Sequence, residues 1–332
     1  MAKKPTKATN DQMSKNMQVF FICVIYGVFS FFVSFFTKKL QVHYGDVSPI
    51  NIMMCHCFGG VVISLALIVA QETLQMEIPV LKQMGIIVPR LQTIYDHRWL
   101  GLQTGMIGLV PVTFGAFCWK CTSIPLYLAY RRCGLLSSVI VMYFWAGEKP
   151  SMGVSKSTAL VVAGAVTAVG EDLDTNIQGF IRVWAYNFSQ SFQNVYLSKL
   201  NKDKIMVPFE FNFFYACVGF VASVVYNFVI TDDYTQIVEH SDDTRFKLML
   251  LLLTIIQALF SFSIAITVAL AGPLALNITG IIKDVFLTYA GFIFFDDVKP
   301  TWPVLIGLAL SFAGAIKCID AKMKDQKAKE QD

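Results

Sequence analysis

Charge is what this 332-residue chain has least of, since Lys, Arg, Asp and Glu make up 15% of it against about 25% in soluble domains. With 55% hydrophobic residues and a mean hydropathy of +0.56, that scarcity excludes an ordinary soluble fold and indicates a polytopic membrane protein. The phosphate-cradling G-x-x-x-x-G-K-[ST] pattern and the G-x-S-x-G nucleophile elbow are both absent. Neither an ATP-driven pump nor a serine hydrolase is supported, and no enzyme is expected. Metal ligation lacks a residue set as well. His56 and His43 have no Cys/His or carboxylate spacing around them, and Cys118-Trp-Lys-Cys121 has no second pair. The eight cysteines fall almost entirely inside apolar runs, where a thiol behaves as a small packing group. No cofactor is expected. Linkers long enough for a soluble domain are missing, and so is a KDEL-type ending. The net charge of +4 resides in the tails and one set of loops, which argues topology and not nucleic-acid binding.

What is present is a series of apolar runs of membrane-crossing length. The expected helices are 17–36, 48–70, 99–121, 124–146, 152–170, 177–198, 208–231, 246–271, 274–295 and 301–319. The first, about 20 residues long, is too long for a cleavable signal core of about 7–15 residues. Longer connections at 71–98 and 232–245 separate some of them, the former with an amphipathic stretch IPVLKQMGIIV. If the N-terminus is cytoplasmic, that side collects seventeen Lys and Arg and the other side five. Loops on the cytoplasmic side carry that excess, so both termini are expected there. Residues 1–16 and 321–332 are Lys-rich tails mixed with acids, expected to be disordered, solvated ends. Asn187-Phe-Ser and Asn277-Ile-Thr have the sequon pattern but fall within spans, so they are read as chance matches.

Five basic residues remain inside or near spans: Lys120, Arg131, Arg132, Arg182 and Lys283. Lys120 and Arg182 sit at span ends, where a long side chain reaches the headgroups. Lys283, in ALNITGIIKDVFLTYAGFIFF, is deeper. A charge there costs about 3 kcal/mol on insertion scales, so it is expected to face a wet cavity or a bundle interior. Asp284 follows about 100° further round the helix and is expected on another face.

An internal repeat gives that charge a counterpart. Residues 149–166 (KPSMGVSKSTALVVAGAV) and 299–316 (KPTWPVLIGLALSFAGAI) align at an offset of 150, with Lys-Pro on Lys-Pro and Ala-Gly-Ala on Ala-Gly-Ala. Each follows a span with intramembrane basic residues, Arg131-Arg132 in one and Lys283 in the other. The copies are five spans apart in order, the fifth and the tenth, and an odd offset inverts the second, a transporter signature with the substrate site where the halves meet near mid-membrane. The expected architecture is therefore all-α, ten helices in two inverted five-helix repeats, 17–171 and 172–320. Arg presents a planar donor fork to phosphate and Lys a mobile point charge. Arg131, Arg132 and Lys283 together would make a positive pocket for a diphosphate or a phosphate ester. Tyr26, Tyr127, Tyr130, Tyr215 and Tyr289 are candidates to stack on a base, and Asn187, Gln190, Gln193 and Asn194 form an unusually polar face for a span.

These stretches resemble the nucleotide-sugar transporters of the drug/metabolite transporter superfamily over about residues 17–320. PLYLAYRRCGLL is similar to that family's Arg-Arg segment, and Gly280-Ile281-Ile282-Lys283-Asp284 to its G-x-I-K-[ND]. Gly179, Val195, Tyr196 and Lys199 match its sixth span, and Phe214-Tyr215 the start of its F-Y-N-N-like segment. Ala216-Cys217 stands where the family carries Asn, Met142 where many relatives carry Glu, and Thr37-Lys38 in place of Asn-Lys. The likeness is greatest to carriers of UDP-linked sugars such as UDP-glucuronate and UDP-N-acetylhexosamines. The resemblance implies a Golgi or endoplasmic reticulum membrane and exchange of a nucleotide sugar for its nucleoside monophosphate. It also allows a homodimer. As substrate contacts it implies Lys283, Arg131 and Arg132, with Tyr215, Asn187, Tyr26, Gly280 and Tyr289 as further candidates. A GDP-sugar carrier, a plastid-type phosphate-ester translocator, and a non-transporting scaffold or receptor with charges that only pair helices remain open as alternatives.

Overall fold

The computed structural model describes residues 7–44, 47–73, 87–121, 130–169, 177–231, 233–294 and 301–329. Expected features at Tyr127, at Lys299-Pro300 and over most of the amphipathic stretch 78–88 lie outside these residues.

Among the described residues all regular structure is helical, as a lipid environment requires of a chain that must satisfy its backbone hydrogen bonds within each segment. In chain order the helices are α1 Lys7–Tyr44, α2 Pro49–Thr73, α3 Leu91–Asp96, α4 Arg98–Cys121, α5 Gly134–Phe144 and α6 Met152–Val169. They continue with α7 Ile177–Lys202, α8 Pro208–Val225, α9 Thr235–Glu239, α10 Thr244–Ala271, α11 Pro273–Phe294 and α12 Trp302–Lys329. Helix thus begins at Lys7 and reaches as far as Lys329, into both tails expected to be disordered, because a helix already nucleated in a span adds one hydrogen bond per residue as it propagates. A π-helical turn, Tyr226–Thr231, extends α8. Among the described residues five helices are long and apolar enough to cross a membrane, over Met17–Thr37, Pro49–Thr73, Pro208–Thr231, Thr244–Ala271 and Trp302–Asp325. Large side chains such as Phe20, Val69, Leu248 and Trp302 stay exposed along them, which suits a lipid-facing surface.

Polar side chains fix the joints. Asp243 caps α10 by accepting from the Arg245 amide at 2.8 Å, and the Tyr44 hydroxyl donates to the same carboxylate at 2.6 Å. Gln236 in α9 accepts from the Ser48 amide at 2.9 Å, while the Asn51 side chain donates to the Asp233 carbonyl at 2.7 Å. The α1–α2 turn is thereby tied to the α8–α10 connection at one end of the bundle. At the other end Gly272, with φ +83°, breaks the chain between α10 and α11. There the Lys322 ammonium donates to the Ala271 carbonyl at 2.7 Å, occupying a helix-end acceptor that the turn leaves open. Glu210, only 2% exposed, likewise accepts from the Val207 amide at 3.2 Å and closes the start of α8.

The two stretches aligned at an offset of 150 pack against each other. A Cβ added at Gly164 would lie 2.6 Å from the Ser311 amide nitrogen and 2.7 Å from the Gly307 carbonyl oxygen. One added at Gly314 would lie 2.9 Å from the Val161 amide nitrogen and 3.1 Å from the Ser157 carbonyl oxygen. The second set is the first with every residue replaced by its counterpart 150 positions away. At the centre Ser311 donates to the carbonyl of its own counterpart, Val161, at 3.4 Å. The α6–α12 contact is therefore antiparallel and self-complementary, the form a two-fold operator imposes on an interface. Small residues are needed there because backbone meets backbone.

Candidate functional site

A cavity of about 310 Å³ opens between α1, α2, α4, α7, α8, α10 and α11. Sequence places its walls by size. On α4, Gly108 leaves room for the Tyr215 ring, where a Cβ would come within 2.7 Å, and Gly115 does the same for Tyr186 at 3.1 Å. Tyr26 stacks on Phe260 with centroids 5.6 Å apart. His56 meets Tyr215 edge to face at 6.1 Å and shares a 3.1 Å hydrogen bond with the Ser261 hydroxyl. The polar face expected on α7 is real: Gln190 donates to Gln193 at 3.2 Å and to Asn194 at 3.3 Å, and all three line the cavity. A smaller chamber of about 40 Å³ adjoins it, sharing Tyr26, Arg131, Tyr186, Gln190 and Asn277 as walls.

The basic residues divide between the chambers. Lys283 lines the large one, Arg132 the small one, and Arg131 both. This follows from the turn between neighbours on a helix, about 100°, which lets adjacent guanidinium groups face different spaces. The Arg131 guanidinium lies 5.3 Å over the Tyr186 ring, a cation–π distance. Arg132 is 3% exposed, and its Nε has no hydrogen-bond partner among the described residues. The segment carrying both is anchored by Asn187, whose side chain donates to the Tyr130 carbonyl at 2.9 Å, and by a 2.9 Å bond between Ser138 and Ser191.

Of the eight candidate contacts, Lys283, Arg131, Arg132, Tyr215, Asn187, Tyr26 and Gly280 line one chamber or the other. Tyr289 is 52% exposed on α11 and does not join them. From Gly280 it is nine residues, or about two and a half turns, along the helix, and there the helix face has rotated away from the cavity. Asp284 requires a correction. Expected on another helix face, it instead pairs with Lys283, Nζ to Oδ1 at 2.6 Å, both side chains almost fully buried. The expectation treated the Cβ directions as the side-chain positions, yet the four-carbon lysine stem bends far enough for the charged ends to meet. Asn277, set aside as a chance sequon, forms part of both chambers. His56, Tyr186, Asn212 and Gln257 also line the large one. Their only signal in the sequence was a polar group inside an apolar run. Among the described residues no group of three or more His, Cys, Asp or Glu converges as metal ligands would.

The chain is 24% identical to "UDP-sugar transporter UST74c" of Drosophila melanogaster over 212 residues, 64% of this chain and 57% of that protein. It is 24% identical to "Nucleotide sugar transporter SLC35D2" of Mus musculus over 197 residues, 59% of this chain and 60% of that protein. With "UDP-galactose/UDP-glucose transporter 7" of Arabidopsis thaliana it shares 23% over 224 residues, 66% and 68% of the two chains. The match thus spans under two thirds of the first two relatives' own length. No family model matches. A solved crystal structure superposes with a TM-score of 0.54 over 94% of this chain and 98% of its own, at 14% identity, and so shares the fold. These sequence matches make the chain similar to nucleotide-sugar transporters over 59–66% of its length.

Proposed function

We propose that the protein is an antiporter, exchanging a cytosolic nucleotide sugar, UDP-linked, for the lumenal nucleoside monophosphate across a Golgi or endoplasmic reticulum membrane. The observation that carries this reading is the convergence of Arg131 and Lys283, from residues 17–171 and 172–320, on one cavity of about 310 Å³. That volume is at the lower end of ligand pockets, about 300–1,000 Å³. Aromatic walls suit a base, amides suit ribose and sugar hydroxyls, and the cations suit the phosphates. The self-complementary α6–α12 contact supports two inverted five-helix halves, whose rocking would open the site alternately to the two sides. The excess of Lys and Arg on one set of loops supports cytoplasmic termini.

Purified protein heated with UMP, GMP, CMP or a sugar phosphate distinguishes the readings, because a ligand that binds only the folded state raises the melting temperature. Stabilisation by UMP above GMP and CMP is the expected result, followed by UDP-sugar uptake into vesicles preloaded with UMP. Stabilisation by the sugar phosphate alone would favour an ester translocator, and a flat response to every compound a scaffold.

A further inference from the structure

Lys283, Arg131 and Arg132 bring three cations to the two chambers, and among their described lining residues Asp284 is the one carboxylate. It is 3% exposed, lies against Lys283 at 2.6 Å and acts electrostatically on Arg132 as well. Three fixed positive charges and one negative leave two in excess. The remaining ionisable groups on the walls are His56, Tyr26, Tyr186 and Tyr215. Tyrosine is neutral near pH 7, and imidazole, with an ordinary pKa of about 6.5, is neutral about one unit higher.

We propose that Asp284 is a resident counter-charge that sets the site to accept dianions, and that an arriving phosphoryl group takes its place on Lys283. The inference rests on the transport reading above and adds to it which charge state is chosen. A phosphate monoester carries about −1.5 to −2 at pH 7. The diphosphate bridge of a nucleotide sugar has one ionised oxygen per phosphorus and reaches the same charge. Both exchange partners then neutralise the excess, and neither leaves an uncompensated charge in a buried site, where such a charge is expensive. A free nucleoside diphosphate has one charge too many, and a cyclic monophosphate one too few. Asp284 itself is not left unpaired when Lys283 turns to the ligand. Arg132 faces the same small chamber, and its Nε has no hydrogen-bond partner among the described residues to give up.

The test is a ladder of ligand charge on one base: cyclic UMP, UMP and UDP, with the guanosine series in parallel, measured by equilibrium binding to purified full-length protein. Wild type is expected to prefer UMP to both neighbours on the ladder. Asp284→Asn raises the excess by one charge and should shift the UDP:UMP affinity ratio about tenfold toward UDP. Arg132→Gln lowers it by one and should shift preference about tenfold toward cyclic UMP. The double variant Arg132→Gln/Asp284→Asn restores the excess and should return the UMP preference. It therefore keeps the idea testable if Asp284→Asn alone does not fold, and a merely structural ion pair would not predict its charge selectivity. An unchanged ladder in folded Asp284→Asn, or a double variant that fails to return to UMP, overturns the counter-charge while leaving the transport reading intact. Absence of binding by wild type to every nucleotide overturns both.

Discussion

Replacing Lys283 by Ala tests the site and its energetics at once. The substitution leaves the Asp284 carboxylate, 4% exposed and formerly 2.6 Å from the ammonium, without that partner in a region shielded from water. Removing one member of a buried pair costs about 3–5 kcal/mol, because the surviving charge is uncompensated. Arg132, on the wall of the same chamber, offsets part of this, so the lower end, about 3 kcal/mol, is expected. A charged hydrogen bond to the ligand is lost besides, worth about 1.5–3 kcal/mol, or roughly 10- to 150-fold in affinity. Lys283→Ala should therefore both melt earlier and lose uptake. Lys283→Met with Asp284→Asn removes the pair together and keeps the volume. It should recover most of the stability, since a buried pair replaced as a unit is often neutral, yet remain inactive. The assays are thermal unfolding in detergent and UMP-driven UDP-sugar uptake in reconstituted vesicles. Uptake near the wild-type rate in the double variant would refute a ligand role for Lys283. An unshifted melting temperature in Lys283→Ala would refute the buried pair.

Further outcomes follow from the packing. Gly307→Ala places a methyl 2.5 Å from the Gly164 carbonyl oxygen, where only backbone can give way, and should cost about 1–3 kcal/mol in thermal stability. Gly164→Ala, 2.7 Å from the Gly307 carbonyl oxygen, and its counterpart Gly314→Ala, 3.1 Å from the Ser157 carbonyl oxygen, should cost similar amounts, and a large inequality would argue against a two-fold contact. Gly108→Val should push the Tyr215 ring into the cavity, with its Cβ within 2.7 Å, and weaken nucleotide binding more than stability, as read by titration and melting on the same sample. The Tyr44 hydrogen bond holds Asp243 below its ordinary 3.8, and the same bond raises Tyr44 above 10. The carboxylate's contribution is thus complete above about pH 4 and lost as pH falls through its lower folded value. The phenol's is complete below about pH 10 and lost as pH rises further. Stability of this end of the bundle should be flat from about pH 5 to 9 and unchanged in slope there in Tyr44→Phe, as checked by hydrogen exchange of the 233–243 segment.

Much of the site was legible because burying charge and polarity in an apolar run is costly enough to demand a reason. Lys283, Arg131, Arg132, Asn187 and Gln190 announced themselves in that way. The α6–α12 contact was legible because small residues recur wherever two backbones must touch, and Gly164 meets the Ser311 and Gly307 backbone as Gly314 meets that of Val161 and Ser157. His56, Tyr186 and Asn277 were not legible as a group. They come from α2, α7 and α11, more than a hundred residues apart from first to last, and nothing local marks them as neighbours. Tyr289 misled for the opposite reason, since an aromatic in a span has the same appearance on a cavity wall and on a lipid-facing surface.

Composition and hydrophobic run length alone were enough for an all-helical membrane protein with charged groups buried in its interior, because solvation energies depend on residue type and on how many apolar residues are consecutive. Which of those groups share a chamber depended on the packing of the chain. The Lys283–Asp284 pair, the division of Arg131 and Arg132 between two spaces, and the rotation of Tyr289 out of the cavity are set by helix azimuth and side-chain reach. Those quantities are decided by contacts among distant helices, and no window of sequence contains them.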